Sequence, residues 1–208
     1  MKTAQLTYKN LDTAASVLKT GGLVAFPTET VYGLAVVYDN EVAFKSLVEV
    51  KRRRPDKPFT LMCGTTSDIL NYAYVSELSA RIINAFLPGP LTIVLPSLAQ
   101  LPSWVDLETG KVGIRVSSMQ TIRELIIKVG KPLLVPSANR ADEPPALTGE
   151  DAMAIFDGQI DAVIMGHVIG GTPSTVIEID KEDNVKLLRK GPLTYDQIMA
   201  IAKPKESL

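Results

Sequence analysis

Leu11, Ala14, Ala15 and Leu18 recur at helical spacing and share one face between Asn10 and Thr20. This pattern predicts a first helix, capped by Asn10 and stopped by Gly21-Gly22. The apolar run Leu23-Val24-Ala25-Phe26 predicts a short buried strand that Pro27 cuts off. Tyr32 to Tyr38 reads as a second strand. Ala43, Leu47 and Val50 at i, i+4 and i+7 predict a helix from Asn40 to Lys51. A strand is expected from Phe59 to Cys63, then a helix from Ser76 to Leu87 closed by Pro88-Gly89-Pro90. Leu91 to Leu95 and Val112 to Val116 read as strands. Ile122, Leu125, Ile126 and Val129 form the clearest helical stripe, ended by Gly130. Pro132 to Val135 predicts a strand that runs into Pro136-Ser137-Ala138-Asn139. A helix is expected near Glu150 to Phe156, strands near Ala162 to Met165, Thr175 to Ile179 and Lys186 to Leu188, and a last helix from about Tyr195 to Ala202.

Helices and strands alternate, yet several strands follow one another with no helix between them. This predicts an α/β fold with a mixed sheet rather than a regular doubly wound parallel one. For 208 residues one domain is the default. It is expected over residues 1–202, with 203–208 as a frayed tail.

Composition narrows the chemistry. Hydrophobic residues at 46% and charged residues at 22% argue against a disordered chain. A formal net charge of −1 excludes a globally basic nucleic-acid binder but leaves room for a local basic site. The single cysteine, Cys63, excludes an internal disulfide framework and Cys-rich zinc or iron–sulfur sites. With His167 the only histidine, no paired-histidine metal site can be built, and its place after Gly166 reads as structural or solvent-facing rather than as a general base. Met1 to Gln5 is not followed by an apolar core of about 7–15 residues, and no window approaches the ~20 apolar residues of a membrane span. A cytoplasmic, reduced protein with no membrane partner is expected.

The common phosphate and nucleophile motifs are missing. Gly110-Lys111 and Gly130-Lys131 are followed by Val112 and Pro132, so neither is a Walker A loop. GxGxxG and GxSxG are also missing. What remains is cations and hydroxyls near turns, in four segments. Pro27-Thr28-Glu29-Thr30-Val31-Tyr32-Gly33-Leu34 is either a polar-ligand turn or a turn whose threonines cap backbone groups. Lys51-Arg52-Arg53-Arg54-Pro55-Asp56-Lys57-Pro58 packs five cations into seven residues, as an anion site or as a solvated helix end. Pro136-Ser137-Ala138-Asn139 follows a strand, where ligands of α/β sheets collect, or is a simple Ser/Asx turn. Arg115 and Arg189 end apolar strands, where a charge is costly unless paired. Each is a structural ion-pair member or a ligand for carboxylate or phosphate.

Together these segments resemble the YrdC-like family, the threonylcarbamoyl-adenylate synthases of tRNA modification. The ordered set is PTETVYGL at Pro27 to Leu34, Lys51-x-Arg53 followed by Lys57-Pro58, PGPLT at Pro88 to Thr92, GIRV at Gly113 to Val116, PSAN at Pro136 to Asn139, PSTVIEI at Pro173 to Ile179 and LLRKG at Leu187 to Gly191. Lys-x-Arg with a distant Ser-x-Asn is the family's diagnostic pair.

The resemblance implies a single twisted mixed sheet flanked by helices around a positively charged concave cavity. It implies synthesis of threonylcarbamoyl-AMP and pyrophosphate from L-threonine, bicarbonate and ATP, with Mg²⁺ arriving on ATP. It implies Lys51 and Arg53 as catalytic residues, and ATP binding by these two with Lys57, Ser137, Asn139 and Arg189. Thr30 and Arg115 would hold threonine, while Thr28, Tyr32, Met62, Lys111 and Ser174 would line the cleft. The product would pass to downstream tRNA threonylcarbamoyl-transfer proteins, with at most weak contact to tRNA or double-stranded RNA. Met62 stands where many members carry His, and Lys111 where a small hydroxyl residue is common. Arg140-Ala141-Asp142-Glu143-Pro144-Pro145 replaces a loop that often reads x-Ser-Gly-x-Pro-Ser. Phe59 to Cys63 and Gly171-Thr172-Pro173 are similar to the YciO-type branch, for which the alternative is a non-catalytic paralogue binding RNA or nucleotide in a basic cavity.

Overall fold

The computed structural model describes residues 2–54, 57–98 and 101–203. Its strands are β1 Ala4–Leu6, β2 Val24–Phe26, β3 Gly33–Val37, β4 Leu61–Met62, β5 Leu91–Pro96, β6 Lys111–Arg115, β7 Leu133–Leu134, β8 Ala162–Ile164, β9 Thr175–Ile179 and β10 Val185–Arg189. Its helices are α1 Leu11–Lys19, α2 Glu41–Lys51, α3 Glu77–Phe86, α4 Ser103–Asp106, α5 Gln120–Val129, α6 Gly149–Phe156 and α7 Tyr195–Ala202. The strands form one sheet in the order β1-β8-β2-β3-β7-β4-β6-β5-β9-β10. Parallel pairs such as β4 with β6 and β5 with β9 sit beside antiparallel pairs such as β2 with β3 and β5 with β6. The α/β fold with a mixed sheet is therefore as the sequence predicts.

Side chains alternate across the strands, and in half of the sheet both faces are covered. On one face Val24, Phe26, Ala35, Met62 and Leu133 pack under α1 and α5. On the other Ala25, Leu34, Leu61, Cys63 and Leu134 join a larger core with α2, α3, α6 and α7. Burial on both faces explains why these short strands read as continuous apolar runs. The core under α1 and α5 takes nothing from β5, β6, β9 or β10, so that helix layer ends at Met62 of β4. Beyond it the same face of the sheet carries Thr92, Val94, Gly113, Val176 and Leu188 and borders a cavity instead. This step in the helix layer positions the site.

Several local expectations change. Tyr32 and Tyr38 fall just outside β3, and the strand expected from Phe59 to Cys63 contracts to Leu61–Met62. β1 and α4 are additions; β1 has a single buried residue, too few to show a period. Asn10 does not cap α1: its carboxamide oxygen accepts from the Thr7 N–H and hydroxyl, closing the preceding 3₁₀ turn. Of the expected tail, residues 204–208 lie outside the described residues. No helix among the described residues is long and apolar enough to cross a membrane.

Cys63 is fully buried, and burial pushes its thiol pKa up. It behaves as a small core residue. Cys63→Ala should cost about 1–2 kcal/mol in a denaturation experiment and leave turnover within about twofold. Loss of turnover in a folded variant would reveal covalent chemistry.

Candidate functional site

Arg115 is the first residue past the step: it pairs with Met62 across β4 and β6 and lies on the same face. It is only 6% exposed. Its Nη2 donates to Thr30 Oγ1 at 2.9 Å and reaches Glu29 Oε1 at 2.9 Å, while Nε donates to the Gly89 carbonyl at 3.3 Å. Thr28 Oγ1 donates to the Val31 carbonyl at 2.7 Å, so the Thr30 hydroxyl supplies the hydrogen of the 2.9 Å Thr28–Thr30 bond. The capping reading of the Pro27 to Leu34 turn therefore holds: its threonines satisfy backbone and one another, and Thr30 also fixes an arginine.

Glu29 accepts from the Ser117 hydroxyl at 2.5 Å and the Ser118 N–H at 3.1 Å. Burial raises its pKa, but the Arg115 charge and these hydrogen bonds outweigh it and hold the carboxyl below its ordinary 4.5. With the folded value below the unfolded one, this stabilisation is present above about pH 4.5 and is lost as pH falls through the folded value. Urea titrations should show the stability gap between wild type and Glu29→Gln narrowing below about pH 4.5; a gap constant with pH would contradict the charge assignment.

A β-bulge aims the second arginine. Leu187 pairs with Ile177, but the next pairing is Arg189 with Val176, so two steps on β10 match one on β9. Arg189 is thereby turned from the core face to the open face that carries Val176. Its Nε and Nη2 donate to the Ser174 carbonyl at 3.1 Å and hydroxyl at 3.0 Å, and that hydroxyl meets Thr92 Oγ1 at 2.8 Å. Burial, then the charges of Arg115 and Arg53, lower the pKa of Arg189.

The third arginine follows α2. Lys51 is the last residue of that helix and Arg52 takes a left-handed conformation, φ 51°. The chain thereby leaves the helix with Lys51 buried, Arg53 half-buried, and Arg52 and Arg54 exposed. The Arg53 guanidinium lies 5.0 Å from the Phe59 ring centroid, a cation–π contact, and donates to the Pro58 carbonyl at 3.4 Å.

Lys51 does not face the cleft. Its Nζ donates to the carbonyls of Ser137 at 2.5 Å and Asn139 at 2.7 Å, and to Asn139 Oδ1 at 3.2 Å. Three acceptors match the three hydrogens of an ammonium; burial and then the Arg53 charge pull the pKa down to about 7. Asn139 Oδ1 also accepts from the Ser137 hydroxyl at 2.6 Å, and Nδ2 donates to the Glu143 carbonyl at 2.6 Å. The Lys-x-Arg and Ser-x-Asn segments are therefore one hydrogen-bonded unit, with Lys51 and Asn139 inside it and Arg53 and Ser137 at its surface.

The resulting cleft has a volume of about 640 Å³, open to solvent. Thr28, Thr30, Tyr32, Arg53, Met62, Arg115, Ser137, Ser174 and Arg189 line it, as expected. Tyr32 contributes only its ring, because its hydroxyl donates to the Ile164 and Gly166 carbonyls, both at 3.0 Å. Four expected residues are not in this lining. Lys51 and Asn139 are consumed by the loop network. Lys57 is exposed, and Pro55 and Asp56 before it lie outside the described residues. Lys111 borders an adjoining cavity, where Glu178 holds its amine at 2.5 Å. That cavity shares Pro58, Phe59, Thr60 and Arg189 with the cleft.

Glu29 and Arg140 are the residues that sequence reasoning missed. Arg140 sits in the altered loop but does not enter the cleft. Its guanidinium donates to the Val50 carbonyl at 3.0 Å, the Ile155 carbonyl at 3.2 Å and Gln159 Oε1 at 2.9 Å, bridging the ends of α2 and α6. The Ala141 N–H donates to the Lys51 carbonyl at 2.8 Å. Nothing in the sequence shows that this loop folds back on α2.

Among the described residues no carboxylate, His or Cys lines the cleft, and no His/Cys/Asp/Glu group could hold a metal ion. Fold and site together define an α/β domain whose single sheet presents arginines and hydroxyls on a face left bare by its helices. The model of the Sua5/YciO/YrdC family, described as "Telomere recombination", matches residues 16–191, and the chain belongs to this family. It is similar to P. abyssi Sua5 in complex with L-threonine, at 30% identity and a TM-score of 0.90, over 97% of this chain and 61% of that one. The chain thus spans less than two thirds of that protein's length. A protein of Methanobacterium thermoautotrophicum solved in solution is 32% identical, with a TM-score of 0.71 over 88% of both chains. E. coli YciO, at 22% identity, shares the fold, with a TM-score of 0.84 over 95% of this chain and 98% of that one.

Proposed function

We propose that this protein forms threonylcarbamoyl-AMP and pyrophosphate from L-threonine, bicarbonate and ATP, for threonylcarbamoyladenosine modification of tRNA. The observation that carries this reading is the convergence of Arg53, Arg115 and Arg189 with Thr30, Ser137 and Ser174 on one cleft that, among the described residues, no carboxylate lines. The reaction asks for such a lining. Once threonine is carboxylated on its amine, the carbamate oxygen attacks the α-phosphorus of ATP and pyrophosphate leaves. No protein nucleophile is needed, only alignment and stabilisation of charge on the phosphates. In this reading Arg115, braced by Thr30, takes the threonine carboxylate, while Arg53 and Arg189 take the phosphates with Ser137 beside them in the lining. Lys51 and Asn139 hold Ser137 in place. The L-threonine bound by P. abyssi Sua5 supports the amino-acid assignment. A lining of hydroxyls without carboxylates fits Mg²⁺ carried in on the nucleotide rather than held by the protein, and there it would neutralise phosphate charge. The product passes to separate transfer proteins.

One observation favours the second reading, a YciO-type protein that binds nucleotide or RNA without reacting it. Arg140 and Ala141 fasten the altered loop to α2 and α6 instead of leaving it at the cleft. Thermal denaturation tests the site. ATP with Mg²⁺ should raise the melting temperature and threonine should raise it further, each ligand stabilising by about 2.7 kcal/mol at 100 times its Kd. No shift at millimolar ATP would contradict a nucleotide site.

A further inference from the structure

We infer that Glu29 is a positioning residue: its carboxylate is a built-in counter-ion that seats Arg115 in the cleft before any anionic ligand arrives. The inference rests on the reading of Arg115 as an anion-binding group. A guanidinium as buried as Arg115 needs a charge partner, and Glu29 is its ion-pair partner. The two guanidinium nitrogens that the protein engages, Nε and Nη2, are held by Gly89, Thr30 and Glu29. Nη1 makes no hydrogen bond among the described residues, and Arg115 lines the cleft. A planar group held at two nitrogens cannot turn about its long axis, so its remaining nitrogen is aimed rather than mobile. Arg189 has the same arrangement, but Ser174 holds it through neutral groups.

That difference matters because like charges gathered in one cleft repel. A carboxylate against one of the three arginines offsets part of that repulsion in the empty site. The Glu29 carboxylate is itself fixed by Ser117 and Ser118, just beyond β6, and its carbonyl accepts from the Gly170 N–H at 3.1 Å. Two chain segments beyond its own turn therefore set its position. With its side chain only 10% exposed, it is placed to hold Arg115 rather than to meet a ligand.

Hydrogen exchange at the Arg115 Nε–H, followed by ¹⁵N NMR and assigned by its loss in Arg115→Lys, tests this without depending on catalysis. In folded Glu29→Gln the exchange should be at least about tenfold faster than in wild type. Calorimetry should show threonine affinity weakened by about tenfold, with ATP affinity unchanged or tighter. Ser117→Ala keeps both charges and loosens the carboxylate, so about threefold faster exchange is expected even if Glu29→Gln fails to fold. Unchanged Arg115 exchange in folded Glu29→Gln, or in Ser117→Ala, would overturn the inference. Wild-type protein that binds no threonine would overturn the proposed substrate instead, while the exchange rates would still decide the role of Glu29.

Discussion

Replacing Arg53 by Ala is expected to lower kcat/KM for threonine-dependent pyrophosphate release by on the order of 10²-fold or more, about 2.7 kcal/mol of transition-state stabilisation. Arg52→Ala and Arg54→Ala should each cost less than about fivefold, and added salt should shrink that loss because exposed charges are screened. The contrast follows from the left-handed turn at Arg52, which leaves Arg53 half-buried in the cleft wall and its two neighbours exposed. Steady-state kinetics at low and high salt check it. Three similar losses, all erased by salt, would mean diffuse attraction of a polyanion and would favour the RNA-binding alternative.

Lys51 should behave differently from Arg53. Lys51→Met keeps an apolar stem of similar length but removes the donor to the Asn139 carbonyl and one of the two donors to each of the Ser137 carbonyl and Asn139 Oδ1. Each unsatisfied buried acceptor costs about 1–3 kcal/mol when no water replaces the donor. Since the Asn139 N–H still reaches the Ser137 carbonyl and the Ser137 hydroxyl still reaches Asn139 Oδ1, a total of about 1–3 kcal/mol is expected. Activity should fall together with stability, because Ser137 loses its support at the cleft wall. Denaturant titration alongside kinetics separates the cases: an inactive Lys51→Met protein of wild-type stability would place Nζ on the substrate.

The architecture was legible where the period was long. The stripe Ile122, Leu125, Ile126 and Val129 coincides with the buried face of α5, and the strands adjacent in sequence correctly indicated a mixed sheet. Arg115 and Arg189 were also in reach, as charges ending apolar strands, and Thr30 as a hydroxyl of the Pro27 to Leu34 turn, whereas Ser174 came only with the family resemblance. What stayed hidden depends on single backbone irregularities or on contacts distant in sequence. The bulge that turns Arg189 to the open face leaves no mark in the pattern of β10. Helical geometry alone would set Lys51 and Arg53 about 200° apart around α2, at about 100° per residue. The left-handed Arg52 ends the helix between them, so one enters the loop network and the other the cleft. Lys51 looked like a phosphate ligand because nothing local reveals that Ser137 and Asn139, some 86 and 88 residues away, take up its hydrogens. Glu29 reads in the sequence only as one polar group of the Pro27 to Leu34 turn for the same reason: Arg115 and Ser117 meet it only after β6 is placed beside the β2–β3 turn.

Pyrophosphate release from ATP by the purified protein decides whether the reaction occurs, measured with Mg²⁺ and bicarbonate, with and without L-threonine, and with the adenylate identified by mass spectrometry. Release should require both threonine and bicarbonate, be matched by threonylcarbamoyl-AMP and fall on the order of 10²-fold in Arg53→Ala. Protein that binds ATP and threonine yet releases no pyrophosphate above the threonine-free control, across Mg²⁺ concentrations, would contradict the proposed reaction.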